Sequence, residues 1–211
     1  MKISAIVPAY NEAARIGAVL EALLAAPSVA EVIVVDDGST DKTGDVAHRY
    51  GVKVVRLGEN QGKGAAMAAG AQEASGDTLL FLDADLTGLT AQHIEDLVQA
   101  YRAGDAEVVI AVFRKGRMAT DLSQRVVPFL SGQRIMGRQL WEKAQALANT
   151  SDFGIETALT KLAFREGWRQ KTVVWEGVSH VRKEEKRGFW LGLCDRLRMY
   201  GDVVRSLFQR I

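Results

Sequence analysis

The sequence predicts an α/β protein built on a mostly parallel central sheet flanked by helices. Three observations carry that expectation. Five short apolar, β-branched runs alternate with segments of helical spacing through the first half of the chain. Those runs are apolar at consecutive positions, as a strand covered on both faces requires. Each of the first four runs ends in an unusual polar stretch, and ligands of open parallel sheets bind outside the carboxyl ends of the strands.

Taken in order, a strand is expected at Ile3–Val7, followed by the turn Pro8-Ala-Tyr-Asn-Glu12. Glu12–Ala26 reads as a helix because Ile16, Val19, Leu20, Leu23 and Leu24 recur at intervals of three and four. A strand at Glu31–Val35 runs into Asp36-Asp37-Gly38, and a helix over Asp41–Tyr50 opens on polar residues and stops at Gly51. The strand Val52–Leu57 leads through "GENQGKG" to an alanine-rich helix, Gly64–Ser75. Thr78–Leu82 is the fourth strand and ends in Asp83-Ala84-Asp85. A helix at Thr90–Arg102 starts Thr-x-x-His and carries Ile94, Leu97, Val98 and Tyr101 on one side. Glu107–Phe113 is the fifth strand.

Beyond Phe113 the rhythm changes. Arg114–Asp121 reads as a polar loop, and "VPFLSGQRIMGRQLWEKA" mixes glycine and arginine with apolar residues. A helix at Phe153–Glu166, a strand at Trp168–Val178 and a charged loop, "SHVRKEEKRG", follow. These divide the chain into one domain over 1–186, with a nucleotide-binding half at 1–113 and an acceptor half at 114–186, and a C-terminal helix at 187–211. In that tail Trp190, Leu193, Leu197, Tyr200, Val204, Leu207 and Ile211 form an a/d stripe, with Arg187, Arg196, Arg198, Arg205 and Arg210 on the other faces. Such a helix can pack on its own domain, pair two chains, or lie on anionic lipid.

Bulk properties bound the rest. The 211 residues are 47% hydrophobic and 25% charged, ordinary for a chain that buries a core. A net charge of +1 gives no field to recruit nucleic acid. The single cysteine, Cys194, excludes an internal disulfide and suits a reducing compartment. The N-terminal apolar run, cut by Pro8, is too short for a signal peptide, and no window is apolar enough to span a bilayer. The expected location is the cytoplasm, with the tail allowing peripheral contact with the inner membrane face.

The motifs point to one kind of ligand. An extended backbone would put Asp83 and Asp85 on one side and turn Ala84 inward. Two hard oxygen ligands so placed suit Mg2+ or Mn2+, which bind through one or two carboxylates plus substrate phosphates. "GENQGKG" lacks the spacing of a Walker A loop and reads as a glycine-flexed turn opening a helix, with Lys63 near an anion. A receiver-type acidic pocket would need a lone aspartate after the third strand, where Arg56-Leu57-Gly58 stands. His180 lies in a charged loop, from which a neutral imidazole could reach a metal.

"AIVPAYNEAARIGAVLEAL", "EVIVVDDGSTDKT", "LGENQGKGAAMAAG" and "GDTLLFLDADL", in this order, resemble the family 2 glycosyltransferases of the GT-A fold. Further on, "LSGQRIMGRQLWEKA", "DFGIETALTKLA" and "GVSHVRKEEKRG" are more loosely similar to a bacterial subgroup related to glucosyl-3-phosphoglycerate synthases and polyprenyl-phosphate sugar synthases. The resemblance implies a metal-dependent transferase that takes a sugar from a nucleotide-diphosphate sugar, UDP- or GDP-linked, to a polyprenyl phosphate or a small phosphorylated acceptor. It implies that Pro8, Ala9, Tyr10 and Glu12 line the base and ribose pocket, and that Asp37, with Asp36 behind it and Gly38 after it, binds the base. Lys63 and Ala84 would sit beside the nucleotide, Asp83 would face ribose or metal, and Asp85 would be the principal metal ligand. His180 would join the metal, and Gly132, Gln133 and Arg134 would line the donor sugar and acceptor. Glu156, or else Asp152, would take the acceptor proton if the reaction inverts. One departure concerns Thr87, which stands where polyprenyl-phosphate mannose synthases often carry a glutamine ligand. A nucleotidyltransferase on a similar sheet would open with a glycine-rich loop after the first strand, unlike PAYNEAAR; a non-catalytic nucleotide-sugar-binding module would bind without turnover.

Overall fold

The computed structural model describes residues 1–113, 132–149 and 155–180. The polar loop expected from Arg114, the residue Asp152 and the tail helix at 187–211 lie outside the described residues.

A seven-stranded sheet carries the fold, built from β1 (Ile3–Ala9), β2 (Val29–Asp36), β3 (Lys53–Arg56), β4 (Thr78–Phe81), β6 (Val108–Phe113), β7 (Arg134–Gly137) and β8 (Gln170–Trp175). Its strand order is β3-β2-β1-β4-β7-β6-β8. Two short strands, β5 (Leu86–Thr87) and β9 (Ser179–His180), pair apart from it. The helices are α1 (Ile16–Leu24), α2 (Thr43–Arg49), α3 (Lys63–Glu73), α4 (Ala91–Arg102), α5 (Arg138–Asn149) and α6 (Ile155–Arg165).

All five strands and four helices expected in the first half form, with ends that move by a few residues. The central runs Ile3–Val7 and Leu79–Phe81 are essentially inaccessible, as a doubly covered sheet requires. One apolar layer joins the sheet to α1, α2 and α4 through Ile16, Leu20, Ala47, Ile94 and Leu97. The opposite layer joins it to α3, α5 and α6 through Met67, Trp141, Leu159 and Leu162, and includes Phe81 stacked at 4.4 Å on Trp141. The Thr-x-x-His start of α4 is a capping box: Thr90 Oγ1 accepts from the His93 N–H, and His93 Nδ1 accepts from the Thr90 N–H at 3.2 Å. His93 thereby has a structural role that its helical position alone did not reveal.

The second half departs from expectation. β7 and α5 occupy the mixed stretch for which periodicity indicated no element. β7 runs antiparallel to both β4 and β6, while every other neighbouring pair in the large sheet is parallel. The expected strand Trp168–Val178 shortens to Gln170–Trp175, because Glu176 and Gly177 turn the chain toward β9. The first residue of α5, Arg138, caps the end of α3: its guanidinium donates to the carbonyls of Ala71, Ala74 and Gly76 at 2.6–2.9 Å. Ala71 and Ala74 offer orphan acceptors at the helix C-terminus, where a cation is favoured, and Gly76 lies just beyond it. α3 is thus fastened at its far end, with Lys63 at its near end.

β1 leads to β2 and β3 on one side, while β4 lies on the other. The strand order therefore reverses between β1 and β4, and a crevice opens beyond their carboxyl ends.

Candidate active site

Four loops meet at that crevice. After β1, Asn11 adopts a left-handed backbone (φ 56), which asparagine tolerates. Its Oδ1 accepts the Thr40 N–H at 2.9 Å, and its own N–H donates to Ser39 Oγ at 3.0 Å. The Glu12 N–H donates to Thr43 Oγ1, and Asp41 accepts from the N–H groups of Ala13 and Thr43. Asn11, Asp41 and Thr43 therefore stitch the first loop to the second; these roles were missed because they depend on partners about thirty residues away. Burial raises the Asp41 carboxyl, but the bonds from Thr43 and Ala13 outweigh it and hold it below the usual range.

The paired acids after β2 serve two neighbours. Asp36 Oδ1 accepts the Ser39 N–H at 3.0 Å and closes the turn. Asp37 accepts the N–H groups of Gln61 and Gly62, at 2.8 and 2.9 Å, one on each oxygen. Both acids are buried. Their mutual repulsion is thus met first by backbone donors, and two donors use about half of the roughly four acceptor positions of the Asp37 carboxylate. Gly38, at φ 69, passes so close to Glu59 and Asn60 that an added Cβ would lie 2.4 Å from the Glu59 carbonyl carbon. The loop after β3 is thereby pressed against the loop after β2, and it delivers Lys63.

Lys63 Nζ rests 2.8 Å from Asp83 Oδ1. Gln133 Nε2 donates to Asp83 Oδ2 at 2.7 Å. Gly132 makes this packing possible: a Cβ there would lie 2.6 Å from Lys63 Nζ and 2.7 Å from both Asp83 oxygens. Burial raises the Asp83 carboxyl, but the Lys63 ammonium, assisted by His180 and Gln133, outweighs it and keeps the group below the usual carboxylate range.

The expected extended geometry of Asp83-Ala84-Asp85 is corrected by the structure: Ala84 and Asp85 lie in a turn, not in a strand. Ala84 is buried, as expected. Asp83 and Asp85 are joined by His180, which arrives on β9. β9 pairs antiparallel with β5, with His180 opposite Leu86. His180 Nδ1 lies 3.1 Å from Asp85 Oδ1, and Nε2 lies 3.8 Å from Asp83 Oδ2. One ligand atom from each of Asp83, Asp85 and His180 falls within 4.8 Å of the others. Two carboxylates and an imidazole grouped in this way are a donor set that could hold a divalent ion such as Mg2+ or Mn2+.

The other expected site residues divide. Pro8 and Ala9 end β1, and Tyr10 is exposed at the rim. Glu12 is buried and pairs with Arg15 at 3.1 Å. Gln133 reaches Asp83, whereas Arg134 is buried and borders a small cavity with Met136, Leu159 and Ala163, in the layer of α6. Glu156 belongs to the first turn of α6. Among the described residues, no helix is long and apolar enough to cross a membrane.

The chain is similar to known proteins. The model of the family described as Glycosyl transferase family 2 matches residues 4–160. The 4,4'-diaponeurosporenoate glycosyltransferase of Staphylococcus aureus (strain USA300) is 35% identical over 115 residues, covering 52% of this chain and 31% of that protein. The chain therefore spans about a third of the length of the curated relatives it matches. Glucosyl-3-phosphoglycerate synthase from Mycobacterium tuberculosis, solved with Mn2+, UDP and phosphoglyceric acid, superposes with a TM-score of 0.76 at 26% identity, covering 98% of this chain and 77% of that one. The same synthase solved with Mg2+ and UDP gives 0.73 at 25% identity, covering 98% and 78%. The mostly parallel, helix-flanked sheet is thus the GT-A architecture that the opening motifs suggested.

Proposed function

The chain belongs to glycosyl transferase family 2, and on that premise we propose that it moves a sugar from a nucleotide-diphosphate sugar to an acceptor, with Mg2+ or Mn2+ bound by Asp83, Asp85 and His180. The convergence of those three side chains beside the Lys63 ammonium carries the reading. The mycobacterial synthase, solved with Mn2+, UDP and phosphoglyceric acid, supports a UDP-sugar donor and a small phosphorylated acceptor. A polyprenyl phosphate is the alternative acceptor, and the basic tail at 187–211 would suit it.

When bound, the divalent ion would act as a Lewis acid on the departing diphosphate. The chain's own residues do the rest. Asp37 and Gly38 hold the loop that aims Lys63 into the crevice, where its ammonium, paired with Asp83, would face the phosphates. Tyr10, exposed on the β1 loop, offers a ring face to the base. An inverting reaction needs a carboxylate to take the acceptor proton, and Glu156 on α6 is the first choice, with Asp152 the second.

A thermal-shift panel of nucleoside diphosphates and their sugars tests the donor site. A ligand at a hundred times its Kd adds about 2.7 kcal/mol, which for a chain of this size raises the melting temperature by roughly 5–10 °C. The expected result is a shift with one nucleotide in the presence of Mn2+, reduced when the ion is chelated. No shift with any nucleotide, with or without metal, refutes the reading.

Gly132→Ala gives a second test. The new methyl crowds the Lys63 ammonium and the Asp83 carboxylate, which are side-chain groups of the site and not backbone, so the core is spared. Displacements of this size near the reacting groups cost on the order of a hundredfold in rate. Transfer kinetics alongside a melting curve should show that loss without unfolding.

A further inference from the structure

His180 comes to the site from a strand of only two residues, so its place is set by what grips it. Two contacts do so. Thr87, next but one after Asp85, donates its hydroxyl to the Ser179 carbonyl at 3.1 Å and meets Ser179 Oγ at 2.9 Å. This clasp closes the β5–β9 ladder in the register that puts His180 opposite Leu86, one residue from Asp85. On the other side the Phe113 ring meets the imidazole edge-on, with centroids 4.9 Å apart and planes at 71°. Phe113 ends β6, pairs in register with Trp175 at the end of β8, and lies 6.2 Å from that buried indole. The imidazole is thus held between the rigid sheet and the turn that carries Asp85.

We propose that Phe113 and Thr87 are positioning residues for His180, fixing its ring as the third ligand and thereby setting the affinity of the site for a divalent ion. The proposal rests on the metal reading above. It also accounts for Thr87, which holds the histidine ligand in place and need not bind the ion itself. Groups that orient a metal ligand typically change metal affinity by about 10- to 100-fold when removed.

The test is direct Mn2+ binding to the full chain, followed by electron paramagnetic resonance of the free ion and requiring no turnover. Wild type, His180→Ala, Phe113→Leu, Phe113→Tyr and Thr87→Val are compared, each checked for folding by circular dichroism. Phe113→Leu and Thr87→Val should weaken Mn2+ about tenfold or more, toward His180→Ala. Phe113→Tyr, which keeps the ring, should bind nearly as wild type. In transfer assays the two weakened variants should need more Mn2+ but regain most of their kcat when saturated. If His180→Ala binds Mn2+ weakly while Phe113→Leu and Thr87→Val match wild type, the positioning proposal falls and the metal site stands. If the wild type itself takes up no Mn2+, the site reading falls and takes the proposal with it. If Phe113→Leu does not fold, Thr87→Val decides the question alone.

Discussion

Asp85→Ala should lower sugar transfer by at least about a thousandfold while leaving the chain folded. The side chain stands on a turn and is partly exposed, at 22%. Removing it deletes little core packing, so the melting temperature should stay within a few degrees of wild type. The loss comes from the site. Asp85 is the carboxylate that His180 approaches most closely, and the Asp83 carboxylate is already engaged by Lys63 and Gln133. Without Asp85 the divalent ion would keep one strong ligand fewer, and the charge building on the leaving diphosphate would go uncompensated. Metal stabilisation of such charge is worth several kcal/mol, and about 4 kcal/mol corresponds to three decades in rate. Steady-state transfer with the best donor, alongside a circular dichroism melt, gives the comparison. Unchanged turnover in a folded variant would overturn the catalytic reading.

Gly38→Ala has the largest expected effect on stability, roughly 2–5 kcal/mol. Two costs combine. A left-handed backbone costs a non-glycine residue about 1–2 kcal/mol. Overpacking adds about 1–3 kcal/mol, because the new Cβ would lie 2.4–2.8 Å from backbone atoms of Glu59 and Asn60, which cannot rotate aside. Gly51 provides the internal control. It has nearly the same φ, 70, but an added Cβ would meet nothing within 4 Å. Gly51→Ala should therefore show the conformational cost alone. Urea unfolding of both variants separates the two costs, and equal losses would show that the close approach of the two loops contributes nothing. The clash would also push the 58–62 loop away from Asp37, so the Gly38 variant should bind donor more weakly even where it remains folded.

The sequence revealed the first half of the fold because each element there has a strong local signal. The apolar spacing of α1 and the buried runs of β1 and β4 follow from which residues sit three, four or one position apart. The rim could be read the same way: Asp37, Lys63, Asp83 and Asp85 each follow a recognisable strand. Their partners were less legible. Crowded acids at the end of β2 call for either a cation or a set of hydrogen-bond donors, and both Asp37 oxygens are met by the N–H groups of Gln61 and Gly62. Backbone donors leave no trace in residue identity, so a donor-rich loop and a bound cation look alike from the sequence. Arg134 beside Gln133 read as part of one sugar-lining stretch, yet Gln133 reaches Asp83 while Arg134 lies in the layer of α6.

By itself, then, the sequence determined the alternation of strands and helices, the doubly covered sheet and the acidic rim at its carboxyl edge, since these follow from the order of apolar and polar side chains along a few turns of chain. Only the tertiary structure decided that β7 runs against its neighbours, that α5 begins by capping α3 with Arg138, and that pairing of β9 with β5 is what carries His180, expected at the metal, to Asp85 from 95 residues away. Those choices rest on contacts between distant segments, where packing and hydrogen bonding select a partner that no local period specifies.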